Sequence, residues 1–206
     1  MRRKPLFVSA AALTLALSAA GCHKPNAAVD TANNAAATDN PTTAAAQDAT
    51  AGAVGAVAAT AGALTTAGFV TGAATSDMYE IAAARIAVQK STNHAVKAFA
   101  TQMVHDHTAS TAALKKILAG GVTATPPDAM DKRREGLINN LNAAAPRDFD
   151  KTYIDQQVAA HNEALTLFKG FADHGDNDAL KAFAAKTAPT IQAHLDMANQ
   201  IDGAMK

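Results

Sequence analysis

The chain has no tryptophan, two tyrosines and one cysteine among 206 residues. A single cysteine excludes an intrachain disulfide and a cysteine-based zinc pattern, so the fold must hold by packing alone. Basic and acidic side chains balance at 18 each. That balance removes the clustered basic face that nucleic-acid binding needs. No segment alternates with the period of a strand. No phosphate loop and no Ser–His–Asp order occurs, and Gly120-Gly121 is loop punctuation. Hydrolase and transferase readings have no support, and no catalytic residue can be named.

What is present begins with "MRRKPLFVSAAALTLALSAAGC". Arg2, Arg3 and Lys4 precede an apolar run, Leu6 to Ala20, that is short for a bilayer span and ends in small residues. This is the pattern of a secretory signal peptide over residues 1–21. "SAAGC" resembles a lipobox, with Ala19 where Leu is commoner, and places Cys22 where bacterial lipoprotein signals are cut and lipidated. The alternative is an ordinary signal peptide with an incidental cysteine. Acylation at Cys22 would attach the chain lastingly to a membrane, since more than one acyl chain is added. The expected location is the bacterial envelope, facing the periplasm, with the outer membrane favoured because His23 rather than Asp follows the cysteine.

Residues 22–66 are rich in Ala, Thr, Asn, Gly and Asp, and large apolar residues are scarce. Such a segment buries too little surface to offset its ordering entropy, and reads as a flexible tether. Residues 51–74 carry no charge until Asp77 approaches, which admits a membrane span as an alternative. Their Ala, Gly and Thr content favours the start of a domain helix.

From residue 67 to 203 the apolar period is helical throughout. The first helix should run over 66–90, with Phe69, Ala73, Ile81 and Val88 on its apolar face. The second should run to Ala119 with Val96, Ala100, Met103, His107, Ser110, Leu114 and Ile117 in steps of four and three. Asp128 is positioned to cap a short helix through Leu137 and Leu141. A third long helix from near Asp148 carries Ile154, Val158, His161, Leu165, Phe168 and Ala172. The fourth carries Leu180, Ala184, Thr187, Ile191, His194, Ala198 and Ile201, and Pro189 should kink or loosen it. "AVKAFA" (95–100) and "ALKAFA" (179–184) open the second and fourth long helices, an internal echo that suggests two related hairpins. The expected fold is all-α: a ferritin-like four-helix bundle with a short extra crossover helix.

"FVTGAATSDMYEIAAARIA", "VKAFATQMVHDHTASTAALKKI", "FDKTYIDQQVAAHNEALTLF" and "LKAFAAKTAPTIQAHLDMA" together resemble the bacterial domain of unknown function family numbered 4142. The resemblance spans about residues 67–202. It implies a ferritin-like bundle on an exported or lipid-anchored protein, and no reaction. The family pattern singles out Glu80, His107, His161 and His194.

The residues themselves reach a similar set. The three histidines each hold a step of an apolar stripe where Leu or Ile would ordinarily sit, and Glu80 shares a face with Ala84 and Ala87. Glu80 lies 19 residues before Phe99 and His107 lies 8 after it, while His161 lies 22 before Phe183 and His194 lies 11 after it. Both members of the second pair are displaced by the same amount, so each pair stays level. Three imidazoles and one carboxylate meeting at one height would suit zinc, iron or copper. The competing reading is a polar layer that fixes helix register. The di-iron signature places Glu three residues before His, yet Val104, Val158 and Ile191 stand there, which argues against ferroxidase or oxygenase chemistry.

Other titratable residues weigh less. His105 sits about 200° around the helix from His107 and should face solvent. His94 and His174 fall at helix ends. Asp106 is a candidate second-layer acceptor for an imidazole, against the alternative of a solvated face. Two functional readings follow. One is a lipid-anchored envelope protein of unassigned activity, serving envelope maintenance or stress tolerance through a protein partner. The other is a periplasmic metal-binding or redox protein using Glu80, His107, His161 and His194.

Overall fold

The computed structural model describes residues 62–205. The expected signal peptide, Cys22 and all but the last residues of the expected tether lie outside them.

Five α-helices follow a 3-10 turn at Gly62–Leu64: α1 (Thr66–Lys90), α2 (His94–Ala119), α3 (Lys132–Ala143), α4 (Pro146–His174) and α5 (Asp178–Ala204). Side-chain caps set four of the five starts. Thr65 accepts from Gly68 N, Asn93 from Ala95 N and Val96 N, Asp131 from Arg134 N, and Asn177 from Leu180 N. The short helix is thus capped by Asp131 rather than Asp128, which lies in a bend after Pro126 and Pro127. α4 begins two residues earlier than expected, with Pro146 at its first turn, where the missing N–H removes nothing. α5 continues through Pro189, whose ring is exposed.

Glycine serves the turns in two ways. Gly121, after α2, has φ of 109°, a left-handed conformation few other residues tolerate. Gly175 ends α4 with ordinary dihedrals, but a Cβ there would lie 2.6 Å from both the Phe171 carbonyl oxygen and its ring. Close approach, not backbone freedom, requires glycine at that position.

α1 packs against α2 and α4 against α5. The two hairpins meet through α1 on α4 and α2 on α5, and α3 lies across α1 and α4. One long crossover (120–145) joins the hairpins, the connection expected of a ferritin-like bundle. The all-α fold expected from the period is the one these residues adopt. Lys90 ties the crossover down: its Nζ donates to the carbonyls of Leu141 and Asn142 at 2.9 Å each, beyond the end of α1. No helix of the described residues is long and apolar enough to cross a membrane.

The bundle interior has two apolar clusters. One contains Val96, Phe99, Met103, Phe149, Tyr153 and Ile154; the other contains Phe69, Leu114, Phe168, Phe171, Leu180 and Ile191. Each long helix passes from one cluster to the other, and each carries a buried polar residue at the transition: Asp77 and Glu80 on α1, His107 on α2, Gln157 and His161 on α4, His194 on α5. On α1 the buried face is narrower than its large residues suggest. Ala83, Ala84 and Ala87 are fully buried, whereas Ile81 and Val88 sit half-buried at the edges. Small residues let the neighbouring backbones close on the polar layer.

Candidate metal centre

His107, His161 and His194 come from three different helices, and their rings face one another. The ring centroids are 5.8 Å apart for His107–His161, 5.7 Å for His107–His194 and 5.4 Å for His161–His194. One ring nitrogen from each lies within 4.8 Å of the other two. All three residues are buried.

Each ring is held by its outer nitrogen. His107 Nδ1–H donates to Asp77 Oδ1 at 2.8 Å, and Thr111 Oγ1–H donates to the other Asp77 oxygen at 3.0 Å. His161 Nδ1–H donates to the Gln157 carbonyl, one turn earlier on α4, at 2.8 Å. His194 Nε2–H donates to Asp106 Oδ2 at 2.9 Å. Carboxylates and carbonyls only accept, so these bonds fix the tautomers. The remaining nitrogens, His107 Nε2, His161 Nε2 and His194 Nδ1, are buried and have no hydrogen-bond partner among the described residues. Three lone pairs thus lie close together in the bundle interior.

That geometry fits a first-row metal ion. With metal–nitrogen distances of about 2.0–2.1 Å and tetrahedral angles, the ring centroids would stand about 5.2 Å apart. The observed spacings are a few tenths of an ångström larger, and the nitrogens, within 4.8 Å of one another, would close to about 3.3 Å by rotation of the rings. The charge also fits. Asp77 and Asp106 lie behind the rings, and two carboxylates match one divalent cation that neutral imidazoles alone would leave uncompensated. Imidazoles anchored to carboxylates or carbonyls on their outer nitrogens are the usual supporting arrangement of metal-bound histidine.

Electrostatics sort the three rings. His161 is pushed down to about 3 by burial, aided by repulsion from His107 and His194, so it offers a free lone pair across the ordinary pH range. Burial also lowers His194, against the pull of Asp106. For His107 burial acts downward, but the hydrogen bond and charge of Asp77, with Glu80 and Asp106 nearby, outweigh it and raise the ring.

Glu80 is buried in the same layer but stands apart from the three converging nitrogens. Its carboxylate approaches the cluster at 3.8 Å from His161 Nδ1, the nitrogen already bonded to Gln157. Burial raises its carboxyl to about 7. Asp77 was not singled out from the sequence, although it precedes Glu80 by three residues on the same face of α1, an acid pair amid alanine and threonine. Asp106 proves to be a partly exposed buttress for His194, and His105, 81% exposed, donates Nδ1–H to its other oxygen at 2.7 Å. His94 and His174 are exposed, as their positions at helix ends suggest.

Comparison with curated proteins and with solved structures gives no match. A family model described as a domain of unknown function, DUF4142, matches residues 27–201, which takes in the bundle up to the last turn of α5 and extends into the segment read as a tether. The chain belongs to the DUF4142 family.

Proposed function

We propose that this protein is a metal-binding member of the bacterial envelope, with one divalent transition-metal ion held by His107, His161 and His194. The reading rests chiefly on one observation: three buried ring nitrogens without partners converge, while the opposite nitrogen of each ring is anchored to an acceptor. Imidazole donors suit zinc, copper or iron. Three protein ligands without a fourth is the pattern of metal sites that keep one position for an exchangeable ligand. Glu80 is then a neighbour that adjusts local charge, chiefly through His107. The signal-like N-terminus and Cys22 support carriage on a lipid anchor at the periplasmic face of the outer membrane, where such a site would serve metal handling or stress tolerance.

The test is metal analysis of protein purified without an affinity tag, beside a His107→Ala/His161→Ala variant. About one equivalent of zinc, copper or iron in the wild type, lost in the variant, supports the reading. A folded wild type that neither carries nor takes up metal would leave the layer with a register-fixing role only.

A further inference from the structure

A small pocket opens on the side of the bundle where α2 and α5 meet. Its cavity of about 20 Å³ has room for one water. Its inner wall includes His107 and His194, and its rim includes Ser110, Thr187 and Thr190, of which Thr190 is exposed. His161 is not among its lining residues, so the pocket meets the cluster at one edge only. Asp106 also lines it. That residue joins solvent to core by two hydrogen bonds: exposed His105 to one oxygen at 2.7 Å, and buried His194 to the other at 2.9 Å.

We infer that this seam is the route by which a divalent cation enters and leaves the three-histidine site, with His105 and Asp106 as its outer station. The inference rests on the metal-binding reading above. Along the bundle axis toward Phe69, Leu114, Phe168 and Leu180, the apolar cluster gives a charged ion no polar step. At the seam, carboxylate, imidazole and hydroxyl groups offer a graded sequence of oxygen and nitrogen donors. The Asp106 charge concentrates cations at the mouth, and its hydrogen bond to His194 places the next donor directly behind it. Ser110, Thr187 and Thr190 can exchange hydrogen bonds with the waters an entering ion sheds. A pocket of one-water size requires that shedding, so passage rather than final binding sets the rate.

A residue that serves only passage changes uptake and release by the same factor and leaves the equilibrium untouched. The experiment follows uptake of cobalt(II) by its visible absorption, and release into excess chelator, in metal-free full-length protein. It compares wild type, His105→Ala, Ser110→Leu and a control on another part of the bundle, His174→Ala. Ser110→Leu, by filling the one-water pocket, should slow both rates by about tenfold or more, and His105→Ala by a smaller factor within the range that charged clefts contribute to association. Dissociation constants should stay within about twofold, and the control should match wild type. Equal rates in all four proteins would overturn the inference, as would a change in affinity without matched changes in both rates. If wild-type protein binds no cobalt, the metal-binding reading itself fails, which is a separate outcome. Thermal midpoints of the metal-free variants confirm that each compared protein is folded.

Discussion

His194 donates through Nε2 to Asp106, and that bond turns Nδ1, its unpartnered nitrogen, into the core. The pairing spans 88 residues of sequence and joins α2 to α5. It places an anion at the bundle surface behind a buried imidazole. Hydrogen bonds from His105, His194 and Gln102 overcome partial burial and hold the Asp106 carboxyl below its usual range, so it remains a charged acceptor at neutral pH.

Replacing that anion should weaken metal binding without unfolding the protein. Asp106→Asn keeps the size and can still accept from His194, but it removes the charge. The expected loss of zinc affinity is about 10–100-fold, the range for changes to groups that orient metal-bound histidine. Chelator competition measures it. The thermal midpoint of the metal-free variant should stay close to wild type, since Asp106 sits at the edge of the core.

Glu80 should give the metal-free protein a stability that depends on pH. Its folded value of about 7 lies above the ordinary 4.5, so the fold favours the neutral acid. The resulting stabilisation is present below 4.5 and is lost as the pH rises through about 7. A difference of that size corresponds to about 3 kcal/mol. Glu80→Gln should abolish this part of the decline. Urea unfolding of both proteins at pH 5 and pH 8 reads it as a difference of differences, and parallel declines would contradict it.

The crossover should depend on Lys90. Its ammonium satisfies carbonyls at the end of α3 and lies 5.0 Å from the centre of the Phe149 ring. Lys90→Met keeps much of the stem and removes the donor and the charge. Because Lys90 is exposed, a loss of about 1.5 kcal/mol or less is expected, the low end for hydrogen bonds to charged groups, as a lower urea midpoint with unchanged slope. Metal stoichiometry should not change.

Cys22→Ser should release the protein from the membrane. Metabolic labelling with a fatty-acid analogue should mark the wild type and not the variant, which should fractionate with soluble periplasmic protein. Labelling of both would remove Cys22 as the anchor.

Much of the bundle was legible in the sequence because helix faces repeat. The stripe Val96, Ala100, Met103, His107 and Leu114 on α2 is buried as its spacing requires. The three histidines stood out because each interrupts such a stripe, and their matched offsets from Phe99 and Phe183 put them at one height. Periodicity says which face a residue occupies but not which atom it presents. The separation of Glu80 from the converging nitrogens therefore had no sequence signal, because it depends on ring rotation set by Asp77, Asp106 and the Gln157 carbonyl. Asp106 lies one position from His107 and points about 100° away, so only the approach of α5 shows that it supports His194. The start of α3 was displaced for a simpler reason: two acidic residues could cap it, and Asp128 lies in a bend while Asp131 accepts from Arg134 N.

The most direct test of the central claim is anomalous diffraction from crystals of the untagged protein grown with zinc. The account predicts one peak in the bundle interior, about 2.0–2.1 Å from His107 Nε2, His161 Nε2 and His194 Nδ1. Zinc found only at surface residues, with the three nitrogens hydrogen-bonded to one another or to water, would contradict it.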